Sequence, residues 1–507
     1  MSLHEMRSDE EKAEIQDLES NESARRLQEV PHIDPVAEKR LLRKLDMALL
    51  PLFGLIYCTN FVDRQASFPS SEKYFAGIEK DLGMVGVDYN IALTIFYIFF
   101  AAADVPSNLA LKHFGSTWVA ILVFSFGIVS IGTAFVRSYS GLIITRVFLG
   151  IAEGGTLSGL TYILARYYRR SELVFRIGIF FGLSTPLAGA FGGLLASGLL
   201  TISDIGTVTS WRKIFLVGDA YGSNTEGIMT SGIGILCMFI IPADPRHTTL
   251  LNEEERALAL ARLDADQAIS TQGKKEKTSL KLIGQAFSFN TVICTICYVL
   301  VNISFQGLSL FMPTVISTLG HFTVVESQLR TVPPYVVGAI WSVSISYCSF
   351  RIRRRGILLF ISALLAVTGY ALAIGTKNHN ARYAACFLSL AGSSLTGPMI
   401  LAWGTENAAP DTVRAVVTAV IPGVGALGAV IAVWTYLPSD APNYHRGNSI
   451  NLATECVVCT LTLILIFYIR WENAKRDRGE RDYRLEGKSS NEVEQLGYLH
   501  PEFRYRE

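Results

Sequence analysis

The sequence is poor in charged residues for its size and has no excess charge of either sign. Only 18% of its 507 residues are Asp, Glu, Lys or Arg, and the formal net charge is +1. A chain with so little net charge lacks the basic field with which nucleic-acid-binding proteins attract phosphates. We therefore expect no nucleic acid as a partner.

The sequence also lacks the short motifs of common hydrolases and nucleotide-binding enzymes. It contains no HExxH, GxSxG or phosphate-loop pattern. The cysteine pairs Cys294–Cys297 and Cys456–Cys459 have metal-ligand spacing, but both lie in apolar runs without a convergent histidine. We interpret these cysteines as small packing residues. The sequence thus predicts no enzyme, no metal site and no cofactor.

Long apolar segments dominate what is present. Half of the residues are hydrophobic and the mean hydropathy is +0.33, and the apolar segments are close to the ~20 residues that cross a bilayer as a helix. The short alternating segments of a β-barrel are absent. We predict an all-α membrane protein with twelve transmembrane helices in two six-helix halves. The predicted spans are 45–64, 88–111, 117–136, 141–165, 177–200, 211–241, 291–316, 331–350, 356–375, 382–405, 413–437 and 450–469.

A hydrophilic segment in the middle of the chain separates these spans into two groups of six, and polar tails flank them. In the middle of the chain, Asn252 followed by Glu253, Glu254 and Glu255 predicts the start of a linker helix, because Asn caps helices and acids favour the first turn. The polar N-terminal segment lacks the apolar core of a secretory signal, so we expect insertion to depend on the first span. The predicted units are a tail (1–44), a first half (45–241), a linker (242–289), a second half (290–470) and a second tail (471–507).

Lys and Arg concentrate in the loops on one side of the predicted bundle. Short cytosolic loops carry such an excess, so we place both termini and the linker in the cytosol, which agrees with an even number of spans. We expect a monomer in the plasma membrane. The cations are Lys39, Arg40, Arg43, Lys44, Lys112, Arg166, Arg169, Arg170, Arg176, Arg351, Arg353, Arg354, Arg355, Arg414, Arg470, Lys475, Arg476 and Arg478.

One apolar span, Gly141–Ala165, contains two ionisable residues, Arg146 and Glu153. Seven residues are nearly two helical turns, so both side chains lie on one face, about 10 Å apart along the axis. A charge at membrane depth is retained where it faces protein or a water-filled cavity. The pattern favours a transport pathway over a purely structural ion pair, with Arg146 holding an anion and Glu153 taking a proton.

Other polar residues in the spans have two open interpretations each. Asp63 and Arg64 either serve the pathway or cap the first span at the membrane surface. Asn302 and Gln306 either hydrogen-bond a substrate or tie helices together. For Asp104 we expect a structural or gating role. The fifth and eleventh spans are both rich in Gly and Pro, which is typical of moving helices beside a central site.

Five motifs together resemble the fungal allantoate permease family, a branch of the anion:cation symporters within the major facilitator superfamily. They are Asn60–Arg64, Tyr89–Phe96, Asp104–Asn108, Arg146–Glu153 and Trp211–Phe215. The resemblance covers residues 40–470 approximately. Within this range, the segment Gly154–Arg170 is most similar to high-affinity nicotinate transporters. The resemblance implies the twelve-helix major facilitator fold and import of a small carboxylate, such as nicotinate, allantoate or pantothenate, by proton symport with alternating access.

The resemblance also implies roles for individual residues. In the related vesicular glutamate transporters and sialin, the arginine of this pattern is implicated in anion binding and the glutamate in proton coupling. These roles pass to Arg146 and Glu153, with a further anion-site role for Arg64 and a structural or gating role for Asn108. The expected partners are therefore a small organic anion, protons and the lipid bilayer.

Two stretches depart from the family pattern. The first is a longer extension after Arg64, at 65–75, and the second is an eight-residue insert at 218–225 that interrupts the sixth span. The insert resembles translated intron sequence. The alternative function is therefore a non-transporting nutrient sensor, or an inactive product of a gene model that retains intron-derived sequence.

Overall fold

The computed structural model of the protein describes most of the predicted bundle. The insert at 218–225 and residues 67–75 of the longer extension lie outside the described residues, as does the Trp211–Phe215 motif. The described residues are 34–66, 81–200, 226–241, 244–246, 248–266, 280–320, 322–488, 492–493 and 496–507.

The regular structure of the described residues is helical throughout. The first half and linker contain α1 (Pro35–Ala66), α2 (Asp88–Phe114), α3 (Thr117–Thr133), α4 (Tyr139–Glu153), α5 (Thr156–Tyr167), α6 (Arg170–Leu200), α7 (Glu226–Ile240), α8 (Glu253–Asp266) and α9 (Leu280–Gln285). The second half contains α10 (Phe289–Ser317), α11 (Val324–Leu329), α12 (Val332–Ile352), α13 (Arg355–Gly375), α14 (His379–Glu406), α15 (Asp411–Gly425), α16 (Leu427–Ala432) and α17 (His445–Asp477).

These helices account for the twelve predicted spans. Within the described ranges, ten helical stretches are long and apolar enough to cross a membrane, and two shorter apolar helices, Thr117–Thr133 and Thr230–Ile240, stand at the third and sixth positions of the first half. Several helices begin at a polar side chain that caps the first turn. Ser138 accepts a hydrogen bond from the backbone N–H of Gly141 at the start of α4, and Ser288 accepts one from Thr291 at the start of α10.

The predicted span Gly141–Ala165 lies within one membrane-crossing stretch, Tyr139–Tyr167, but this stretch consists of two helices, α4 and α5, that meet at a glycine pair. Gly155 has φ +83°, a left-handed conformation that residues with a side chain rarely adopt. A Cβ at Gly155 would collide with Ser107 of α2. The break therefore needs glycine twice over, for its backbone angle and for the close approach of α2. It makes Glu153 the last residue of α4.

The predicted eleventh span, 413–437, is also divided, into α15 and α16. Here too small residues permit close packing: a Cβ at Gly425 would collide with the ring of Tyr298, and a Cβ at Gly428 would collide with the carbonyl of Val299. Both contacts are with α10. The Gly/Pro-rich sequence of this span thus brings it against the helix that carries Asn302 and Gln306.

The two halves are joined by hydrogen bonds at one end of the bundle. The side-chain amide of Asn90 in α2 donates to the carbonyl of Val433 at 2.8 Å, and the indole N–H of Trp434 donates to Thr94 Oγ1 at 3.1 Å. These bonds connect α2 to the segment that follows α16. They close the space between the halves at that end.

The linker helix forms as predicted, with Asn252 directly before α8. It is also anchored more firmly than a free connector. Arg262 of α8 is buried, and its guanidinium contacts Glu38 of α1 at 2.8 Å and Glu172 of α6 at 2.7 Å. The linker therefore joins the first and fifth spans at the end of the bundle where all three meet.

Candidate functional site

A small cavity lies between the two halves. Its volume is about 40 Å³, and since one water needs roughly 10–15 Å³ on this measure, it holds a few waters rather than an organic anion. Binding of such an anion therefore requires the lining to move. The lining residues are Tyr57, Phe61, Arg64, Tyr97, Phe100, Asp104, Gly155, Leu157, Phe181, Thr185, Tyr298, Asn302, Phe305, Gln306, Pro422, Ala426 and Ala429.

Arg64 brings a positive charge to this cavity from the end of α1. Its Nε donates to Glu153 Oε2 at 3.0 Å and its Nη2 donates to Asn60 Oδ1 at 2.9 Å. The guanidinium carbon lies 4.6 Å from the ring centre of Phe100 and 5.9 Å from that of Phe96, so the ring faces attract the cation. Carboxylate, amide and ring contacts together fix the guanidinium at the cavity wall.

Glu153 lies behind Arg64, fully buried at the end of α4. Oε2 accepts the hydrogen bond from Arg64, while Oε1 has no hydrogen-bond partner among the described residues. Its position follows from the break at Gly154 and Gly155, which ends α4 at this residue. Glu153 is therefore a carboxyl group with one paired oxygen and one oxygen available to a proton.

Arg146 and Asp63 complete a buried cluster around this ion pair. Arg146 is close enough to Asp63 and Glu153 to interact with both electrostatically, and Asp63 Oδ1 accepts a hydrogen bond from Ser130 Oγ at 2.6 Å. With Arg64, the cluster holds two cations and two acids, so its formal charges cancel. Arg146 lies behind the cavity wall in this conformation and not in it.

Asp104, on α2, is an acidic side chain in the lining of the cavity itself. Its Oδ1 accepts hydrogen bonds from Ser158 Oγ and from Asn108 Nδ2, the latter at 3.2 Å. The same Asn108 amide donates to Ser158 Oγ at 2.8 Å and to the carbonyl of Asp104 at 3.0 Å. These bonds tie α2 to α5 just past the glycine break.

Asn302 and Gln306, one helical turn apart on α10, form part of the wall contributed by the second half. Asn302 Nδ2 donates to the carbonyl of Gly425 at 3.0 Å, which satisfies a backbone group exposed by the break between α15 and α16. Gln306 Oε1 is buried and has no hydrogen-bond partner among the described residues. Gln306 is therefore freer to meet a ligand than Asn302.

The structure thus brings most of the predicted site residues together. Arg64, Asp104, Asn302 and Gln306 line one cavity, while Arg146, Glu153, Asp63 and Asn108 stand one layer behind it. Sequence reasoning missed Asn60 and Phe100, which both contact the Arg64 guanidinium. Asn60 had a usable signal, since it lies four residues before Arg64 and so on the same helical face. Phe100 had none, because its contact crosses from α2 to α1.

The fold is that of a known family. A family model described as Major Facilitator Superfamily matches residues 53–433. This chain belongs to the major facilitator superfamily. It is therefore an integral membrane transport protein of a family in which two six-helix halves enclose a central site. An uncharacterized transporter of Schizosaccharomyces pombe is 32% identical over 89% of this chain and 87% of its own length.

This major facilitator chain is also similar to two transporters with known names. The high-affinity nicotinic acid transporter of Saccharomyces cerevisiae is 28% identical over 94% of this chain and 86% of its own length. Among solved structures, the human organic anion transporter MFSD10 (TETRAN) is similar with a TM-score of 0.57 and 13% sequence identity, over 83% of this chain and 99% of that one. At that identity the likeness concerns the fold alone.

Proposed function

We propose that this protein imports a small organic carboxylate together with protons by alternating access. The observation that carries the proposal is the ion pair between Arg64 at the cavity wall and Glu153 behind it, at 3.0 Å. The nicotinic acid transporter among the relatives supports a carboxylate substrate, and nicotinate, allantoate and pantothenate are the candidates. We also propose that the protein belongs to the allantoate permease branch of the superfamily.

The ion pair suggests how anion binding and proton binding are linked. A substrate carboxylate that binds Arg64 competes with Glu153 for the same guanidinium. Glu153 then loses its hydrogen bond to Arg64, and the buried cluster of two arginines and two acids gains one negative charge in excess. Breaking a buried pair in this way costs about 3–5 kcal/mol. Uptake of a proton at Glu153 removes that cost. When the substrate leaves, Glu153 regains Arg64 and releases the proton.

The remaining residues of the site have supporting roles in this scheme. Arg64 makes the first contact with the substrate, because it is at the wall of the cavity. Arg146 joins the anion site when the halves move and the wall opens. Gln306 and Asn302 hydrogen-bond the substrate from the second half. Asp63, Asp104 and Asn108 hold or gate the surrounding helices.

The proposed setting is that of an importer at the cell surface. We place the protein in the plasma membrane as a monomer, with both termini and the linker in the cytosol. The concentration of Lys and Arg in the loops at that end supports this orientation. The alternative, a non-transporting sensor or an inactive product, depends on the insert at 218–225.

The decisive experiment measures uptake of radiolabelled nicotinate, allantoate and pantothenate by proteoliposomes that contain the full chain. Under an inward proton gradient we expect accumulation of at least one of them, and a protonophore should abolish it. Glu153→Gln should abolish gradient-driven accumulation yet leave exchange of labelled for unlabelled substrate, because Gln mimics the permanently protonated carboxyl group.

The matched control is Glu326→Gln, which neutralises an exposed carboxylate on α11. It should transport like the parent. Accumulation by Glu153→Gln that still follows the proton gradient would remove the coupling role of Glu153. Absence of uptake and exchange of all three compounds by the parent would favour the sensor or the inactive product.

A further inference from the structure

One oxygen of the Asp104 carboxyl group, Oδ2, accepts no hydrogen bond from the described residues and faces the cavity. The residue is 2% exposed, and both of its side-chain hydrogen bonds, from Ser158 and Asn108, go to Oδ1. Among the described residues, no Lys or Arg forms an ion pair with Asp104 and no donor reaches Oδ2. Asp104 is thus a buried carboxyl group whose second oxygen has no partner in the part of the chain that the structure describes.

The unused oxygen points across the cavity toward the second half. A Cβ built on Gly423 of α15 would lie 2.7 Å from Asp104 Oδ2. Only the absence of a side chain at Gly423 leaves room there. Oδ2 is therefore at the interface between the halves, where a ligand held between them would be in reach.

Arg64 and Asp104 stand at two different points of the same wall. The Arg64 guanidinium lies against the ring of Phe100, and Asp104 follows Phe100 on α2 by four residues. Four residues are about one helical turn, roughly 6 Å along the axis. The cavity lining therefore contains a cation from α1 and a carboxyl group from α2, with the aromatic rings of Tyr57, Tyr97 and Tyr298 beside them.

We propose that Asp104 is a specificity-determining residue that accepts a hydrogen bond from an N–H group of the substrate. This inference rests on the proposed function, in which Arg64 holds the substrate carboxylate. The substrate class is then narrower than carboxylates in general: a small acid that also carries an ammonium, amide or ureido N–H group. Allantoate and pantothenate carry such N–H groups, whereas neutral-ring nicotinate has none.

The physical reason is the cost of an unmatched polar group. A buried acceptor that meets a methyl or methylene group loses its hydrogen bond to water and gains nothing in return. Sites built to bond a substrate N–H therefore reject analogues without it far more strongly than apolar pockets discriminate by size. Asp104 would give the cavity this kind of selectivity, which Arg64 alone does not provide.

The test compares two ligand pairs that differ in the N–H group, one pair with an added ammonium charge and one pair without a difference in charge. Purified full chain is titrated with 4-aminobutyrate and pentanoate, and with 3-ureidopropionate and 5-oxohexanoate, by isothermal calorimetry. Each pair has the same number of heavy atoms. We expect the N–H member of each pair to bind about 10-fold or more tightly. In Asp104→Asn the preference for 4-aminobutyrate over pentanoate should fall to within about 3-fold, since the charge at this position is gone.

The outcomes separate this inference from the proposed function. Equal binding within both pairs by the parent overturns the role of Asp104 and leaves carboxylate transport standing. Equal weakening of all four ligands by Asp104→Asn makes the residue structural and also overturns the role. Failure of every carboxylate to bind the parent counts against the proposed function itself. The comparison of pairs in the parent needs no variant, so it decides the matter even if Asp104→Asn does not fold.

Discussion

The two halves of the protein both bury an arginine–carboxylate pair, but at different places. In the first half, Arg64 contacts Glu153 at 3.0 Å beside the central cavity. In the second half, Arg355 contacts Glu406 at 3.2 Å, and both side chains are 1% exposed. The second pair lies where α13 begins and α14 ends, away from the cavity lining. Burial alone therefore does not mark a functional pair.

The two ion pairs differ in how many of their polar atoms have hydrogen-bond partners. Arg355 also donates to the carbonyl of Ser349, and Glu406 has a second cation in Arg506. Glu153, in contrast, keeps one buried oxygen without a partner among the described residues. A fully bonded pair stabilises one arrangement of helices, whereas a partly bonded pair beside a cavity can exchange partners.

The largest expected effect is the difference in substrate affinity between variants of Arg64 and of Arg355. Arg64→Gln should lower substrate affinity about 100-fold, the value of one or two charge-assisted hydrogen bonds, with a normal amount of folded protein. Arg355→Gln should instead reduce the amount of folded protein and leave the affinity of the remainder unchanged. The folded fraction of each purified variant is first quantified by size-exclusion chromatography. Both variants are then titrated calorimetrically with the substrate that binds best, and their affinities are compared. A loss of affinity in Arg355→Gln as large as in Arg64→Gln would contradict it.

A smaller effect is expected at Arg146, behind the cavity wall. Arg146→Lys keeps the positive charge but loses the planar fork that grips a carboxylate with two hydrogen bonds. We expect affinity to fall about 10-fold with normal membrane insertion, measured as uptake at graded substrate concentrations. Parent-like uptake by Arg146→Ala would show that Arg146 does not bind the anion.

The second half contributes neutral polar contacts, so its substitutions should have milder effects. Gln306→Leu keeps a side chain of similar size at the cavity wall but removes its hydrogen-bonding amide. We expect KM to rise about 3- to 10-fold, which is the value of one uncharged hydrogen bond. Gln328→Leu, at a buried position on α11 away from the cavity lining, is the matched control. An unchanged KM in Gln306→Leu would assign substrate recognition to the first half alone.

The smallest expected effect is at the surface of the bundle. The hydrogen bond from Lys44, at 2.6 Å, lowers the pKa of Glu255. A lowered pKa in the folded state means that the pair stabilises the fold above the unfolded pKa of about 4.3 and that this contribution is lost as pH falls through the folded value. Because both side chains are partly exposed, we expect about 0.5 kcal/mol or less.

Hydrogen exchange of α8 measures this contribution. Glu255→Gln should speed exchange slightly at pH 7 and match the parent at about pH 3, with Glu254→Gln as the control for a change of charge alone. Faster exchange in Glu255→Gln that persists unchanged at low pH would show that ionisation of Glu255 plays no part.

The sequence by itself predicted the helices that cross the membrane and pointed to the ionisable residues within them. Segment length and hydropathy predict helices that cross a bilayer, because every backbone polar group must be satisfied within the segment. The same reasoning singles out Arg146 and Glu153, since an ionisable residue in such a segment is costly and must have a reason. Family motifs then add Arg64 and Asp104, and the described helices carry all four.

Only the tertiary structure decided which of these residues meet. The pairing of Arg64 with Glu153, the position of Arg146 behind the wall and the unused oxygen of Asp104 all depend on contacts between different helices. Such contacts are set by the side chains that allow two helices to approach, as the glycine at 155 does for α2 and α5. Hydropathy and spacing describe one helix at a time, so they cannot give the distance between two.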